Sequence, residues 1–570
     1  MIQGIGASDG IAIGKVYKYE PVEVVIKRER CQDVKSEQQK FKDSIQAGIE
    51  ALEVLKSKTE NEMDEETAAI FGAHIEILRD PELAIAVSDM IASEKVKAEF
   101  ALKTVSDRFV AIFEAMEDAY IRERAADIKD VTRRVLMILK GIKSKGLSEI
   151  DEPIILVAKD LTPSDTALLN RELVLGFITD IGGRTSHSAI MARTMEIPAV
   201  VGTMDGFDQL SNGDFVILDG MVGSIIIHPS SDEIEKYTEK VAILNREKSL
   251  WQSCKGQKST TKDFKDIDLA ANIGSPDDID GVIANDGDGI GLYRTEFLYM
   301  GRKSFPTEEE QYESYKTVLE KMGDKPVVVR TLDIGGDKEL SYFDMPKELN
   351  PFLGNRALRL CLQNMDMFKT QLRALLRAAN YGNLHIMFPM IATIEEFRKA
   401  KAVLQEVESD LETEQIPFSK NYQTGIMIEI PAAALLANVF AKEVDFFSIG
   451  TNDLIQYTFA ADRMNEHVSY LYQPYNPSLL KLIQMVTEAA HKEGKWVGMC
   501  GEMAGENQAL PLLIGLGLDE LSMSAPSILK ARYSLKQIDS IKAKGLADMA
   551  LQSCTEEEVK LLIDAFWNEV

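Results

Sequence analysis

The chain has 570 residues, too many for one hydrophobic core, and its 91 acidic against 64 basic residues leave a formal net charge of −27. That balance excludes general binding to nucleic acid or to an anionic membrane surface and favours a basic protein partner. Five scattered cysteines with no CxxC pair (Cys31, Cys254, Cys361, Cys500, Cys554) indicate neither a disulfide framework nor a zinc site, and no apolar run approaches the roughly 18 residues that cross a bilayer. The expectation is a multidomain protein of the reducing cytoplasm, without membrane insertion.

Residues 1–20 predict a short strand pair. Gly4, Gly6, Gly10 and Gly14 permit turns among apolar Ile11, Ile13 and Val16, at a spacing that does not fit a dinucleotide-binding GxGxxG. Helical periodicity follows, with Phe41, Ile45, Ile49, Leu52 and Leu55 on one face and Leu102, Val105, Phe109, Phe113 and Met116 on another. Asp80-Pro81 should end one helix and begin the next, giving an antiparallel bundle inserted into another domain. From Pro153 the period changes. IILVA, LVLGFITD and FVILD are short runs rich in β-branched residues that alternate with helical stretches, as in a compact α/β domain. A charged helix over 231–250 and the polar stretch KGQKSTTKD at 255–263 read as a linker.

The remaining chain holds eight candidate strands: IDLAANIG, GIGLYRTEF, VVVRTLDI, HIMFPMI, GIMIEI, DFFSIGTND, WVGMCGE and ELSMSA. Eight strands separated by amphipathic helices predict a (β/α)8 TIM-type barrel. The fold class is therefore multidomain α/β. Residues 1–20 and 144–230 form an α/β domain, 21–143 a helical bundle inserted in it, 231–263 a linker helix and loop, and 264–570 the C-terminal barrel.

Within the α/β domain, GGRTSHSAIMAR at 182–193 places His187 between a glycine pair and an apolar helical run. A helix N-terminus favours a phosphoryl group through its unpaired N–H groups and dipole, and Thr185 or Ser186 could cap it. Arg184 and Arg193 add positive charge, and an imidazole with pKa about 6.5 is largely neutral and nucleophilic at cytoplasmic pH. Spacing alone leaves two readings open, a phosphoacceptor or a hydrogen-bonded loop histidine.

The barrel strands end in Asn272, Arg294, Arg330, Glu429, Asn452 with Asp453, and Cys500 with Glu502. Glu429 and Asp453 suit one Mg²⁺, which takes one or two carboxylates and leaves positions for phosphate and water. Arg294, Arg330 and Arg463 offer forked donors for a phosphoryl group. The alternative is an ion-paired barrel rim, and for Cys500 a small buried hydrophobe.

The histidine segment closely resembles the phosphohistidine motif of the phosphoenolpyruvate-utilising enzymes. GIGASDGIAIG, LTPSDTALLN, GLYRTEFLYM, TLDIGGDKEL, NPFLGNRALR, FFSIGTNDLIQYT and GMCGEMAG extend the resemblance over the whole chain. They point to the Enzyme I family of the bacterial sugar phosphotransferase system. That resemblance implies a swivelling domain carrying the phosphorylated His187, and phosphoenolpyruvate bound by Arg294, Arg330, Asn452, Asp453 and Arg463. It implies Mg²⁺ on Glu429 and Asp453 and Cys500 as proton donor to pyruvate. It further implies a barrel-mediated homodimer and phosphoryl transfer to the phosphocarrier HPr, docked on the helical subdomain. The acidic stretch from Glu60 to Glu66, with Glu76 and Glu82, would favour a basic carrier face, with Arg124 and Asp127 as contacts or supports. The rivals are a nucleotide-dependent dikinase, which needs an ATP-binding loop not evident in the chain, and a non-catalytic metabolite-sensing scaffold.

Overall fold

The computed structural model describes the chain except residues 21–23, 63–64, 115–118, 143–146, 148–149, 162–164, 166–168, 170–172, 184–186, 195–196, 301, 337, 339, 341, 344, 347, 464 and 570. The side chains of 58–62, 65–70, 114, 119–124, 126, 187, 190–191, 194 and 466 are likewise outside the description. The chain divides into two units, Met1–Asn245 and Arg246–Val570.

In the first unit, β1 (Ile2–Gln3), β2 (Ile5–Ser8), β3 (Ile11–Tyr19), β4 (Ile154–Ala158), β5 (Val174–Thr179), β6 (Ala199–Val201), β7 (Phe215–Asp219) and β8 (Ser224–Ile227) form one sheet. Its order is β1-β8-β7-β3-β4-β5-β6-β2. The N-terminal strands thus do not pair with one another as expected. β1 runs against β8, β2 against β6, and β3 lies between β7 and β4. The reason is burial. Every residue of β4 is buried, as suits a central strand covered on both faces, and β3 and β5 pair with its two edges.

Between β3 and β4 the chain makes helices Val34–Glu62, Glu65–Arg79, Pro81–Glu94, Ala98–Glu114 and Ala119–Lys140. Their core gathers Phe41, Leu52, Phe71, Val87, Ile91, Leu102 and Val135, with Ile45, Leu55 and Phe109 packed on it. The break at Asp80-Pro81 occurs as the sequence predicts. The Asp80 carboxylate accepts from the Glu82 N–H at 2.7 Å and Pro81 occupies the first helical turn, where its missing N–H costs nothing.

The second unit contains β9 (Asp268–Ile273), β10 (Ile290–Arg294), β11 (Pro326–Arg330), β12 (Asn383–Phe388), β13 (Tyr422–Ile428), β14 (Phe446–Ile449), β15 (Trp496–Met499) and β16 (Glu520–Met523). All pair in parallel and β16 returns to β9, closing the barrel. Each strand overlaps one of the eight predicted runs, and β11, β12 and β13 begin one to three residues before theirs. Leu292, Val328, Met387, Met427, Phe446 and Cys500 fill the interior. The outer faces pack on a larger layer against the helices. Local signals set those helices. Thr307 and Glu310 form a capping box at the start of Glu308–Met322, and Gly323, at φ 62°, ends it.

The expected linker is two different things. The helix Ser231–Gln252 has no buried residue, but the polar stretch 255–263 is tied into the barrel. The Lys262 N–H donates to Ile538 O at 2.9 Å, Asp263 accepts from the Ser540 N–H at 3.0 Å, and Ser259 Oγ donates to Asp288 at 2.5 Å. Fully buried Arg532 donates Nε to Ser259 Oγ at 2.9 Å and pairs with Asp286 and Asp288. Among the described residues no helix is long and apolar enough to cross a membrane.

Candidate active site at the barrel mouth

Parallel closure brings the C-terminal ends of all eight strands to one face. Arg294 and Arg330 end β10 and β11, Glu429 follows β13, and Cys500 follows β15. Asn452 and Asp453 lie in the first turn of the helix Thr451–Phe459, which follows β14.

Arg330 is only 7% exposed. Its Nη2 lies 2.6 Å from Glu296 Oε1 and its Nη1 3.1 Å from Asp333 Oδ2. Lys338 Nζ reaches the same Glu296 oxygen at 2.8 Å, and Arg356 Nη2 contacts Asp333 Oδ1 at 3.0 Å and Asp453 Oδ2 at 3.4 Å. Burial works against the charges of Arg330, Glu296, Asp333 and Arg356 alike, yet their partners win. Burial pushes the Glu296 carboxyl up, but Arg330 and Lys338 outweigh it and hold it below the usual carboxylate range. Asp333 is held down against burial by Arg330, Arg356 and Lys338. Arg330 stays charged against burial through Glu296, Asp333 and Glu429. The fork is therefore fixed and ionised before any ligand arrives.

Glu429 is 1% exposed and accepts from the Met390 N–H at 2.5 Å. Burial first, then the charges of Asp453 and Asp333, push its carboxyl up to about 8, against the pull of Arg356 and Arg330. Asp453 Oδ1 is buried without a hydrogen-bond donor among the described residues; Arg463 Nη1 stands 3.8 Å from it. A buried carboxyl whose proton affinity is raised by a neighbouring carboxylate, that neighbour carrying an oxygen without a hydrogen bond among the described residues, fits a hard divalent cation with oxygen ligands. Among the described residues no group of three His, Cys, Asp or Glu side chains makes a larger metal cluster.

Asn452 accepts from the Tyr472 hydroxyl at 3.1 Å and donates Nδ2 to Glu502 at 3.2 Å. Arg294 lies over the Phe297 ring at 5.1 Å, and its Nε is buried without a hydrogen bond among the described residues. Such a group is ready for an anion. Cys500 is buried, with Sγ 3.9 Å from Ile449 O. Burial, opposed by the Ser448 hydroxyl and Arg330, pushes its thiol up to about 11, so it carries its proton at neutral pH. Asn272 holds the Cys500 backbone, donating Nδ2 to its carbonyl at 3.1 Å.

The structure thus brings Arg330, Glu429, Asp453, Arg463 and Cys500 into one charge-coupled cluster, with Arg294 and Asn452 on the same strand-end face. His187 lies in the other unit as the first residue of the helix His187–Thr194. Gly182, at φ 121°, makes a turn before it that a side chain would strain. Arg193 donates to Ala7 O at 3.0 Å. Thr185, Ser186 and Arg184, expected to cap and charge that helix start, lie outside the described residues, as do the side chains of Arg124 and Glu60 to Glu66. Asp127 lies 3.3 Å from His74 Nε2.

Sequence reasoning missed Glu296, Asp333, Lys338 and Arg356. All four stand in the strings GLYRTEFLYM, TLDIGGDKEL and NPFLGNRALR. The usable signal was physical, since a buried strand-end arginine requires a carboxylate partner, and Asp333 is three residues beyond Arg330.

Residues 3–124 match the N-terminal domain of the PEP-utilising enzymes, residues 150–223 their mobile domain and residues 248–540 their PEP-binding domain. Relatives named phosphoenolpyruvate-protein phosphotransferase include those of Bacillus subtilis and Priestia megaterium. Each is 55% identical over 558 residues, covering 98% of this chain and 98% and 97% of their own. The relative from Staphylococcus aureus is 55% identical over 567 residues, 99% of both chains. The NMR solution structure of an Enzyme I protein is 42% identical, covering 43% of this chain and 100% of its own, with a TM-score of 0.39. Identity at that level, sustained from end to end across three successive matched domains, means that the chain belongs to the phosphoenolpyruvate-protein phosphotransferases, the Enzyme I group of the PEP-utilising enzyme family.

Proposed function

We propose that this phosphotransferase takes the phosphoryl group of phosphoenolpyruvate onto His187, releases pyruvate, and hands the group to a histidine of the phosphocarrier HPr in the cytoplasm. The observation that carries the first half is the strand-end cluster in which ionised Arg330, the Glu429–Asp453 pair and a protonated Cys500 thiol stand together.

Arg294, Arg330 and Arg463, with Asn452, orient the phosphate and carboxylate of the substrate at the mouth. Glu429 and Asp453 would hold Mg²⁺, which, when bound, draws charge from the phosphate oxygens. The neutral His187 imidazole attacks phosphorus in line while the arginines balance the charge on the equatorial oxygens, and the mobile domain swings to deliver it. The enolate of pyruvate leaves, and Cys500 gives its proton to the methylene carbon. A thiol held near 11 suits this role because it is not lost to solvent at neutral pH.

The carrier half rests on the helical subdomain. Glu76 and Glu82 are exposed there, and a basic carrier face would be drawn to them. Dimerisation through the barrel domain belongs to the same reading.

Intact mass after incubation with Mg²⁺ and either phosphoenolpyruvate or ATP tests it. We expect one acid-labile phosphoryl group from phosphoenolpyruvate alone, removed by added HPr and absent in His187→Ala, which should still bind phosphoenolpyruvate. Labelling only by ATP would move the chain to the dikinases, and no labelling would leave a scaffold.

A further inference from the structure

Below the active cysteine the barrel interior is not wholly apolar. Glu520, the first residue of β16, is 4% exposed, and its Oε1 is buried without a hydrogen-bond partner among the described residues. Buried orphan acids are costly and need a reason. Register places Glu520 beside Gly498 of β15, and Gly498 beside Ser448 of β14. Gly498 contributes no side chain to that level of the barrel, and two residues further along the same strand direction stands Cys500. Across the interior, Glu520 Oε1 and Ser522 Oγ crowd the same point, 2.1 Å and 2.5 Å from where a Cβ on Gly291 would sit. Only glycine leaves room for them. Ser522 Oγ donates to Asn272 Oδ1 at 2.7 Å, and Asn272 in turn holds the Cys500 carbonyl. At the other end Glu520 is in register with Asp268, which is exposed.

We propose that Glu520 is a positioning and proton-supplying residue that returns a proton to the Cys500 thiolate after each turnover, drawing its own from solvent through Asp268. The proposal rests on the reading of Cys500 as the acid that protonates the pyruvate enolate. In that step the S–H bond breaks and a C–H bond forms, leaving a thiolate. The Glu520 O–H then breaks, its proton passes by way of the Ser448 hydroxyl, which stands on the far side of Gly498 and whose buried Oγ holds no hydrogen bond among the described residues, so that it can turn between acid and thiolate, and S–H re-forms. The resulting Glu520 carboxylate recovers a proton from the Asp268 end of the barrel, so each cycle consumes one solvent proton. Burial and then the Asp268 charge push the Glu520 carboxyl up to about 8, so it is loaded at neutral pH. Such a route matters when bound substrate fills the mouth, since the thiol then has no access to solvent from that side.

The test compares pyruvate formation by the full chain in a single turnover and at steady state, with Mg²⁺, phosphoenolpyruvate and HPr. Glu520→Gln should leave the first turnover within about twofold of wild type but slow later turnovers by about 100-fold or more, giving a burst, the lower end of what proton transfer usually contributes. Glu520→Asp, which keeps a titrating carboxyl, should restore most of the steady rate. Equal slowing of first and later turnovers, or a wild-type steady rate in Glu520→Gln, would overturn the proposal. Cys500→Ala is measured alongside. If it forms pyruvate at the wild-type rate, the reading of Cys500 fails by itself, whatever Glu520→Gln does.

Discussion

Arg330 and Glu296 meet at 2.6 Å in a site where the guanidinium is 8% and the carboxylate 2% exposed. A pair so dry is held by its geometry, and losing either member would leave an uncompensated buried charge. Glu296 is shared with Lys338, and Asp333 divides Arg330 from Arg356. Arg330, Lys338 and Arg356 are thus held by Glu296 and Asp333 and, through Arg356, by Asp453.

Arg330→Lys tests that fork. A lysine keeps the charge but cannot bridge Glu296 and Asp333 while presenting a donor to phosphate, so one or two charge-assisted hydrogen bonds are lost. At about 1.5–3 kcal/mol for such a bond, kcat/KM for phosphoenolpyruvate should fall by roughly 10- to 100-fold for a donor lost to the phosphate, and the unfolding midpoint should fall as well, since a bond to Glu296 or Asp333 is lost with it. A rate close to wild type would remove Arg330 from substrate binding.

Glu429→Gln should act on the metal. The amide keeps the shape and can no longer share negative charge with Asp453, whose Oδ1 would face a cation alone. The Mg²⁺ concentration for half-maximal phosphoryl uptake should rise by at least about tenfold, since one of two carboxylate ligands has lost its charge. Mn²⁺ binding followed by electron paramagnetic resonance should weaken in parallel. Unaltered Mn²⁺ affinity would exclude Glu429 as a ligand.

The barrel was legible because eight short, largely apolar runs alternate with helical periods, and each run became a strand. The charged residues at the strand ends were legible individually. Their pairing was not, because Glu296, in the short helix Thr295–Leu298, and Lys338 and Arg356, in the segment after β11, are brought together only by tertiary packing. The sheet of the first unit shows a different limit. Local turn chemistry at Gly4 to Gly14 predicts neighbours in sequence, whereas β1 and β2 find β8 and β6 more than 190 residues away. The stretch 255–263 looked like a linker because it is polar, and its anchors, Asp286, Asp288 and Arg532, lie far along the chain.

Arg532→Met probes those anchors. Arg532 is fully buried, while Asp286 and Asp288 are 28% and 29% exposed. Removing the cation strands two carboxylates that water reaches in part, so the loss should fall at or below the lower end of the usual cost for a broken buried pair, about 3 kcal/mol. The unfolding transition of the barrel in urea should move to lower denaturant, and Asp286→Asn in the same chain should recover part of the loss. An unmoved transition would show that the segment 255–263 is held by its backbone contacts alone.

Glu520 makes a prediction about stability that is separate from its place in turnover. Its folded carboxyl titrates near 8, against about 4.3 in an unfolded chain. A raised folded pKa means that the native state binds the proton more tightly. The stabilisation from that proton is therefore complete below about pH 4.3 and is lost as pH climbs toward 8. Glu520→Gln keeps the volume and carries no titrating proton, so the variant should lack this loss. Urea unfolding of the two proteins should show the variant gaining on wild type by about 3–4 kcal/mol between pH 5 and pH 8, a change that a volume or hydrogen-bond effect would not make pH-dependent. A difference that stays constant over that window would mean that Glu520 does not titrate there, and that its buried oxygen is satisfied in some other way.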